Sequence, residues 1–86
     1  MIRRYDMRRS DNSQFVGTLH YPCSGSGEIR IHTGFPVRSA IVTPVDVPLG
    51  GRVWIDIGSF DDKGFTVVYE NIPPDIGYVE FSYMAS

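Results

Sequence analysis

The chain has 86 residues, a formal net charge of −2 and a single cysteine, Cys23. This length allows one domain, and folding at this size buries only about 60 to 65% of the surface that the extended chain would expose. One cysteine excludes an internal disulfide, and no apolar run approaches the roughly 18 residues that a membrane-spanning helix needs. The first residues lack the apolar stretch of a signal peptide, so we expect a soluble protein made in the cytoplasm.

The start of the chain is basic, whereas the rest is acidic. Residues 1–10 carry four arginines against one aspartate, a charge of +3, and the remaining residues carry four basic and nine acidic side chains, a charge of −5. Guanidinium groups pair bidentately with carboxylates. We therefore predict that residues 1–12 form a docking arm for an acidic surface on a neighbouring subunit, a solvated tail being the alternative. The candidate docking residues are Arg3, Arg4, Tyr5, Arg8 and Arg9.

From residue 13 onward, short alternating segments separated by turn residues predict an all-β domain over residues 13–86. The first segment, SQFVGTLHY, is interrupted by Gly17. A flexible turn is predicted at SGSG, and GEIRIHT then alternates with its two isoleucines inward. Pro36 marks a strand end, an edge or a bulge, and Pro44 restricts the second half of SAIVTPVDV to an edge strand or a loop.

The second half of the chain predicts three more strands separated by the turns DDKG and PPDIG. In RVWIDIGSF, alternation places Val53, Ile55 and Ile57 on one face. The inward residues of the last two strands are predicted to be Phe65, Val67, Tyr69, Val79, Phe81, Tyr83 and Ala85. The predicted fold is a small antiparallel β-sandwich of about six strands with an extended N-terminal arm.

Four apolar side chains fall on faces that the same alternation assigns to solvent: Trp54, Val68, Tyr78 and Met84. Together they present more apolar area than a small monomer usually leaves exposed. We therefore predict that they form an oligomer interface. The alternative is a wrong face assignment for one strand, which would make Trp54 an ordinary core residue.

No set of residues satisfies the requirements of a catalytic or cofactor site. His20, Cys23 and His32 lack the spacing and the fourth ligand of a structural zinc site. Asp61 and Asp62 are adjacent and lack the remaining ligands of a calcium loop, and SGSGE precedes no helix that could hold a phosphate. The acidic body, with aromatics not interleaved with lysine or arginine, argues against direct nucleic-acid binding. We predict no enzyme activity, no cofactor and no metal.

Three stretches, FPV leading into AIVTP, KGFTV and VEFSYMAS, resemble the β-sandwich of H-type lectins and of related modules in phage tail fibres and minor tail proteins. The resemblance covers about two thirds of the chain. It implies a final strand at the centre of the sandwich and assembly as trimers or trimer-based oligomers through one sheet face. The cysteines that form disulfides in secreted H-type lectins are absent here, which favours the virion modules over the sugar-binding members.

The resemblance implies a function as a structural protein of a phage-like virion, in the tail, fibre or capsid surface, that docks through its arm and contributes to host attachment. A carbohydrate-binding module is the alternative. The implied partners are further copies of the chain, most simply in a trimer, other virion proteins and a surface glycan, without membrane insertion. The implied location is the host cytoplasm during synthesis and the virion afterwards. No sugar-contact residue carries over, because the loop sequences do not match.

Overall fold

The computed structural model describes residues 15–86, so the predicted docking arm, residues 1–12, lies outside the described residues. The six strands are β1 (Phe15–Pro22), β2 (Gly25–His32), β3 (Ala40–Asp46), β4 (Arg52–Asp56), β5 (Gly64–Ile72) and β6 (Tyr78–Ala85). One turn of 3₁₀-helix, Ile57–Ser59, follows β4. The predicted all-β class and strand number are confirmed. No helix within residues 15–86 has the length and hydropathy to span a membrane.

The six strands form two three-stranded antiparallel sheets. Sheet I has the strand order β1-β6-β3, and sheet II has the order β2-β5-β4. The final strand is therefore the middle strand of its sheet, with β1 on one side and β3 on the other. Pairing on both sides explains why the alternation of β6 continues to Ala85, the last residue of the strand.

The core lies between the inner faces of the two sheets. Phe65 and Val67 of β5 and Val79 and Phe81 of β6 are fully buried, because both middle strands have neighbours on each side and a sheet packed against one face. The remaining buried apolar residues are Ile29, Ile31, Val37, Tyr69, Ile72 and Ala85. The predicted inward faces of β2, β5 and β6 are confirmed, with Tyr83 partly buried against the same core.

The predicted inward position of Ile57 is wrong, because its side chain is 79% exposed. Strand β4 ends one residue earlier, at Asp56, whose carboxylate accepts a hydrogen bond from the Gly58 backbone N–H at 3.0 Å. The Ser59 hydroxyl also donates to the Asp56 carbonyl. These local hydrogen bonds favour a 3₁₀ turn over a continued strand, since short polar side chains compete with the ladder for backbone groups.

Glycines in the two strands β1 and β2 are covered by tyrosines from the middle strands. Gly17 pairs directly with Tyr83, and Gly27 pairs with Tyr69. A Cβ atom at either glycine would collide with the phenol end of its tyrosine. Gly17 therefore does not break β1, because the ring packs in the space that a side chain would fill.

The predicted flexible turn at SGSG is also wrong. Strand β2 begins at Gly25, which pairs with Ile72, and the register shifts by a bulge between Gly25 and Gly27. Gly25 has a φ of 69°, a left-handed conformation that glycine adopts without steric strain. The prediction for Pro44 is confirmed, since β3 is an edge strand and its register shifts between Pro44 and Asp46.

Candidate interaction surfaces

The structure separates the four predicted interface residues into two pairs. Trp54 and Val68 lie directly opposite each other on the outer face of sheet II. Tyr78 and Met84 lie on the outer face of sheet I, six residues apart on β6 and thus separated by about 20 Å. One contiguous patch therefore cannot contain all four, and each outer face has to be considered by itself.

Trp54 lies on the outer face of sheet II, on the edge strand β4, where it is 39% exposed. It shares a row with Val68 and Glu28 across the three strands. The Arg52 guanidinium lies 5.1 Å from the centroid of the indole ring. The same guanidinium donates to Glu70 Oε1 from Nη2 at 2.5 Å and from Nε at 3.2 Å. An ion pair thus holds the arginine over the tryptophan, which favours a cation–π contact.

These side chains border an open groove of about 540 Å³ on sheet II. Its lining includes Ser26, Glu28, Arg52, Trp54, Val68 and Glu70. The groove therefore combines the indole ring of Trp54 with two carboxylates and a guanidinium. Such a mixture suits recognition of a polar ligand or of another protein surface better than a closed reaction chamber.

A second ion pair fastens the far end of sheet II to the turn after the 3₁₀ helix. Arg30 Nη2 lies 2.5 Å from Asp61 Oδ1, and Arg30 Nη1 donates to the Ser59 carbonyl at 3.0 Å. Asp61 also accepts backbone N–H bonds from Lys63 and Gly64 at 2.8 and 3.0 Å. The Lys63 N–H, together with Arg30, holds the pKa of the Asp61 carboxyl below its ordinary value. Asp61 is therefore engaged in shaping the β4–β5 turn.

The outer face of sheet I carries an exposed row of apolar side chains, which we call the apolar row: Val16, Met84 and Ile41. The three residues are cross-strand neighbours on β1, β6 and β3. Val16 is 61% exposed and Ile41 is 59% exposed. The next row along the same face is polar and consists of Thr18, Ser82 and Thr43, with the first two hydroxyls 3.0 Å apart.

The other end of this face is polar and aromatic. The Tyr78 hydroxyl donates to Asp46 Oδ2 at 2.5 Å, and this bond raises the pKa of the Tyr78 phenol, since it stabilises the protonated form. The His20 ring stacks on Tyr78 with centroids 4.3 Å apart, and its Nδ1 lies 3.4 Å from Glu80 Oε1. This cluster links all three strands of sheet I.

The three residues considered for zinc do not converge. His20 lies on the outer face of sheet I, Cys23 is half-buried in the β1–β2 link, and His32 is exposed at the end of β2. Burial raises the pKa of the Cys23 thiol, against the smaller opposing effect of a backbone hydrogen bond from Val79. Within residues 15–86, no group of three or more His, Cys, Asp and Glu side chains is placed to hold a metal ion.

The sequence prediction missed two exposed residues of the apolar row on sheet I, Val16 and Ile41. The sequence pattern could have identified Ile41, because alternation in AIVTP places its side chain on the opposite face of the strand from Val42, which packs against the core. Val16 had no comparable signal, since Gly17 obscured the pattern of β1.

No family model, curated protein or solved structure matches this chain significantly. The resemblance to H-type lectins and phage tail modules therefore stays a prediction.

Proposed function

We propose that this protein is a non-enzymatic structural module that functions by forming protein–protein contacts, first with further copies of itself. The observation that carries the proposal is the apolar row, which crosses all three strands of sheet I. Its three side chains are adjacent and form one patch, and contiguous exposed apolar area marks an interaction surface more often than scattered single residues do.

The polar surroundings of the apolar row support a protein partner. The neighbouring hydroxyl row offers both donors and acceptors, and the cluster of His20, Tyr78, Asp46 and Glu80 follows beyond it. An apolar centre with a polar margin is the usual composition of a protein interface. A second copy of the chain is the simplest occupant, because a domain of this size gains substantial burial from a partner subunit.

The assignment to a phage-like particle, in the tail, fibre or capsid surface, is supported by the sequence resemblance alone. In this proposal Arg3, Arg4, Tyr5, Arg8 and Arg9 dock the module onto an acidic surface of the particle, where it contributes to host attachment. Deleting residues 1–12 should leave the thermal unfolding midpoint nearly unchanged, because the arginine-rich sequence of this segment is too polar to supply a core strand. A circular dichroism melt of the truncated chain measures this, and unfolding on truncation would show that the arm belongs to the core.

The proposed self-association is tested by light scattering over a range of protein concentrations. We expect a mass above that of the 9.7 kDa monomer. Ile41→Lys should reduce that mass, because it places an ammonium group in the apolar row that the proposed interface buries. Thr43→Lys is the matched control, since Thr43 lies on the same strand and face in the neighbouring row. A monomeric wild-type chain at every concentration would falsify self-association, and the measured mass also tests the expected trimer.

A carbohydrate-binding module is the second candidate, favoured by the half-exposed Trp54 beside Glu28 and Glu70 in the sheet II groove. Sugars stack on aromatic faces while carboxylates accept their hydroxyl hydrogens. This candidate ranks second because Arg52 already covers the indole ring and is held there by Glu70. A glycan that binds the groove should quench the fluorescence of Trp54, the only tryptophan in the chain. Saturable quenching that Glu70→Gln weakens would favour this candidate over the structural one.

A further inference from the structure

Strand β4 is an edge strand whose free edge differs from those of the edge strands β2 and β3. Among residues 15–86, β4 pairs only with β5, in an unbroken register from Arg52 to Asp56. Natural sheets block free edges with prolines and bulges, because unpaired N–H and C=O groups recruit other strands. Strand β3 carries Pro44 and a register shift, and β2 has a bulge near Gly25. Strand β4 has neither device, so its backbone is able to accept another strand.

The sequence of β4, Arg-Val-Trp-Ile-Asp, is complementary to itself when two copies run antiparallel. A two-fold axis at Trp54 places Arg52 opposite Asp56 of the second copy at both ends of the paired segment. The same axis places Val53 opposite Ile55 and the two tryptophans opposite each other. The two members of each pair lie on the same face of the sheet, because their residue numbers differ by an even number and side chains alternate along a strand. The Arg52–Asp56 and Trp54 pairs lie on the outer face, and the Val53–Ile55 pairs lie on the inner face. No like charges meet.

The charged groups of β4 retain the capacity for these contacts. The Arg52 side chain is 66% exposed and uses two of its five N–H donors on Glu70. Asp56 is exposed, and one of its carboxylate oxygens accepts from the Gly58 N–H. Each group therefore has free hydrogen-bonding positions for a partner. Strand β1 also has an outer edge, but it carries no acidic or basic residue apart from His20 and offers no such complementarity.

We propose that two copies of this chain pair through their β4 edges, which joins the two copies of sheet II into one six-stranded antiparallel sheet with Trp54 at the two-fold axis. This inference rests on the proposed self-association and deepens it by naming the edge and the contacts. An isologous pairing of this kind produces dimers or assemblies with an even number of subunits. It therefore makes a different prediction from the trimer that the resemblance implies.

The test uses two charge variants of the full chain, both in the Ile41→Lys background so that the apolar row does not contribute. Asp56→Lys places a lysine opposite Arg52 of the second copy. Arg52→Glu combined with Glu70→Arg reverses the internal ion pair of sheet II while keeping it, and places a glutamate opposite Asp56. Each variant alone creates two like-charge pairs, which should weaken dimerisation about thirty-fold or more. An equimolar mixture restores opposite charges at both positions.

We expect the Ile41→Lys chain to be a dimer by light scattering, each charge variant alone to be a monomer, and the mixture to be a dimer. Emission from Trp54 should shift to shorter wavelength only in the dimeric samples, because pairing removes the indole from water. Circular dichroism confirms that each monomeric variant is folded. An Ile41→Lys chain that is monomeric while the wild type assembles, a dimer that neither charge variant weakens, or variants that stay monomeric when mixed would each overturn β4 pairing and leave the proposed function standing. A wild-type chain that never assembles would overturn both.

Discussion

The two sheets are alike on their inner faces and different on their outer faces. In each sheet an aromatic-rich middle strand supplies fully buried residues, Phe81 in sheet I and Phe65 in sheet II. In each sheet a tyrosine of the middle strand covers a glycine of the strand beside it. The outer face of sheet II, by contrast, carries two ion pairs, Arg52–Glu70 beside Trp54 and Arg30–Asp61 at the far end, and that of sheet I carries the apolar row.

This difference shows which constraints act on each face. An inner face has to fill the space opposite the other sheet, so both sheets use the same kinds of residues. An outer face meets only solvent or a partner and is free to differ. The contrast between the ion-paired face and the apolar face therefore contains the information about function, whereas the shared core explains only the fold.

The largest expected effect comes from the residues that make the inner faces alike. Phe65→Ala and Phe81→Ala should each lower the free energy of unfolding by about 3 to 5 kcal/mol, because each leaves a cavity in the core. Urea unfolding followed by circular dichroism measures the loss. Val16→Ala on the exposed row is the control and should change the free energy by less than about 0.5 kcal/mol in the monomer. A much smaller loss for one phenylalanine would show that the sheets contribute unequally.

Glycine substitutions should have the next largest effects. A Cβ at Gly64 would collide with the backbone carbonyl oxygen of Ile31, which cannot rotate away, so Gly64→Ala should cost about 3 kcal/mol or more. Gly17→Ala and Gly27→Ala collide only with tyrosine side chains and should cost about 1 to 2 kcal/mol each. Similar losses at Gly17 and Gly27 are expected from the matched design of the two sheets. Thermal melts of the three variants give the ranking, and a neutral Gly64→Ala would contradict it.

The Arg30–Asp61 ion pair of sheet II should have a smaller, pH-dependent effect on stability. The pKa of Asp61 is below its ordinary value of 3.8, so its contribution is present above that pH and is lost as the pH falls through the lower native pKa. Asp61→Asn should therefore lower the melting temperature at neutral pH, and the melting temperatures of the variant and the wild type should converge in acid. Asp62→Asn is the control, since none of the hydrogen bonds that shape this turn involves the Asp62 side chain. Equal effects of the two substitutions would contradict the role of Asp61.

The sequence predicted the inner faces well because burial imposes an alternation that a single strand reveals. The prediction failed at Ile57 and at SGSG, where the outcome depends on a side-chain cap and on a tyrosine from another strand. It also grouped Trp54 with Tyr78, because alternation assigns a face within each strand and says nothing about which sheet the strand joins. Predicting the candidate surfaces required the pairing order, and that order is set by contacts between residues distant in the chain.

The smallest expected effect concerns two tyrosines, Tyr78 in sheet I and Tyr69 in sheet II, whose pKa values are raised for different reasons. The pKa of Tyr78 in sheet I is raised chiefly by the hydrogen bond to Asp46, whereas the pKa of Tyr69 in sheet II is raised chiefly by burial. Asp46→Asn removes the carboxylate, so it should lower the pKa of Tyr78 toward 10.0 and leave that of Tyr69 unchanged.

Carbon-13 NMR of the tyrosine ring carbons over an alkaline pH series resolves the two residues, and Tyr69 is the internal control. A raised native pKa means that the stability contributed by Tyr78 is present below the unfolded value and lost as the pH rises through the native value. The Asp46→Asn chain should therefore be less stable than the wild type at neutral pH, and this difference should shrink as the pH rises through the native pKa of Tyr78. A Tyr78 pKa that does not move would show that the Asp46 contact is absent in solution, and the polar cluster of sheet I would then be free to bind a partner.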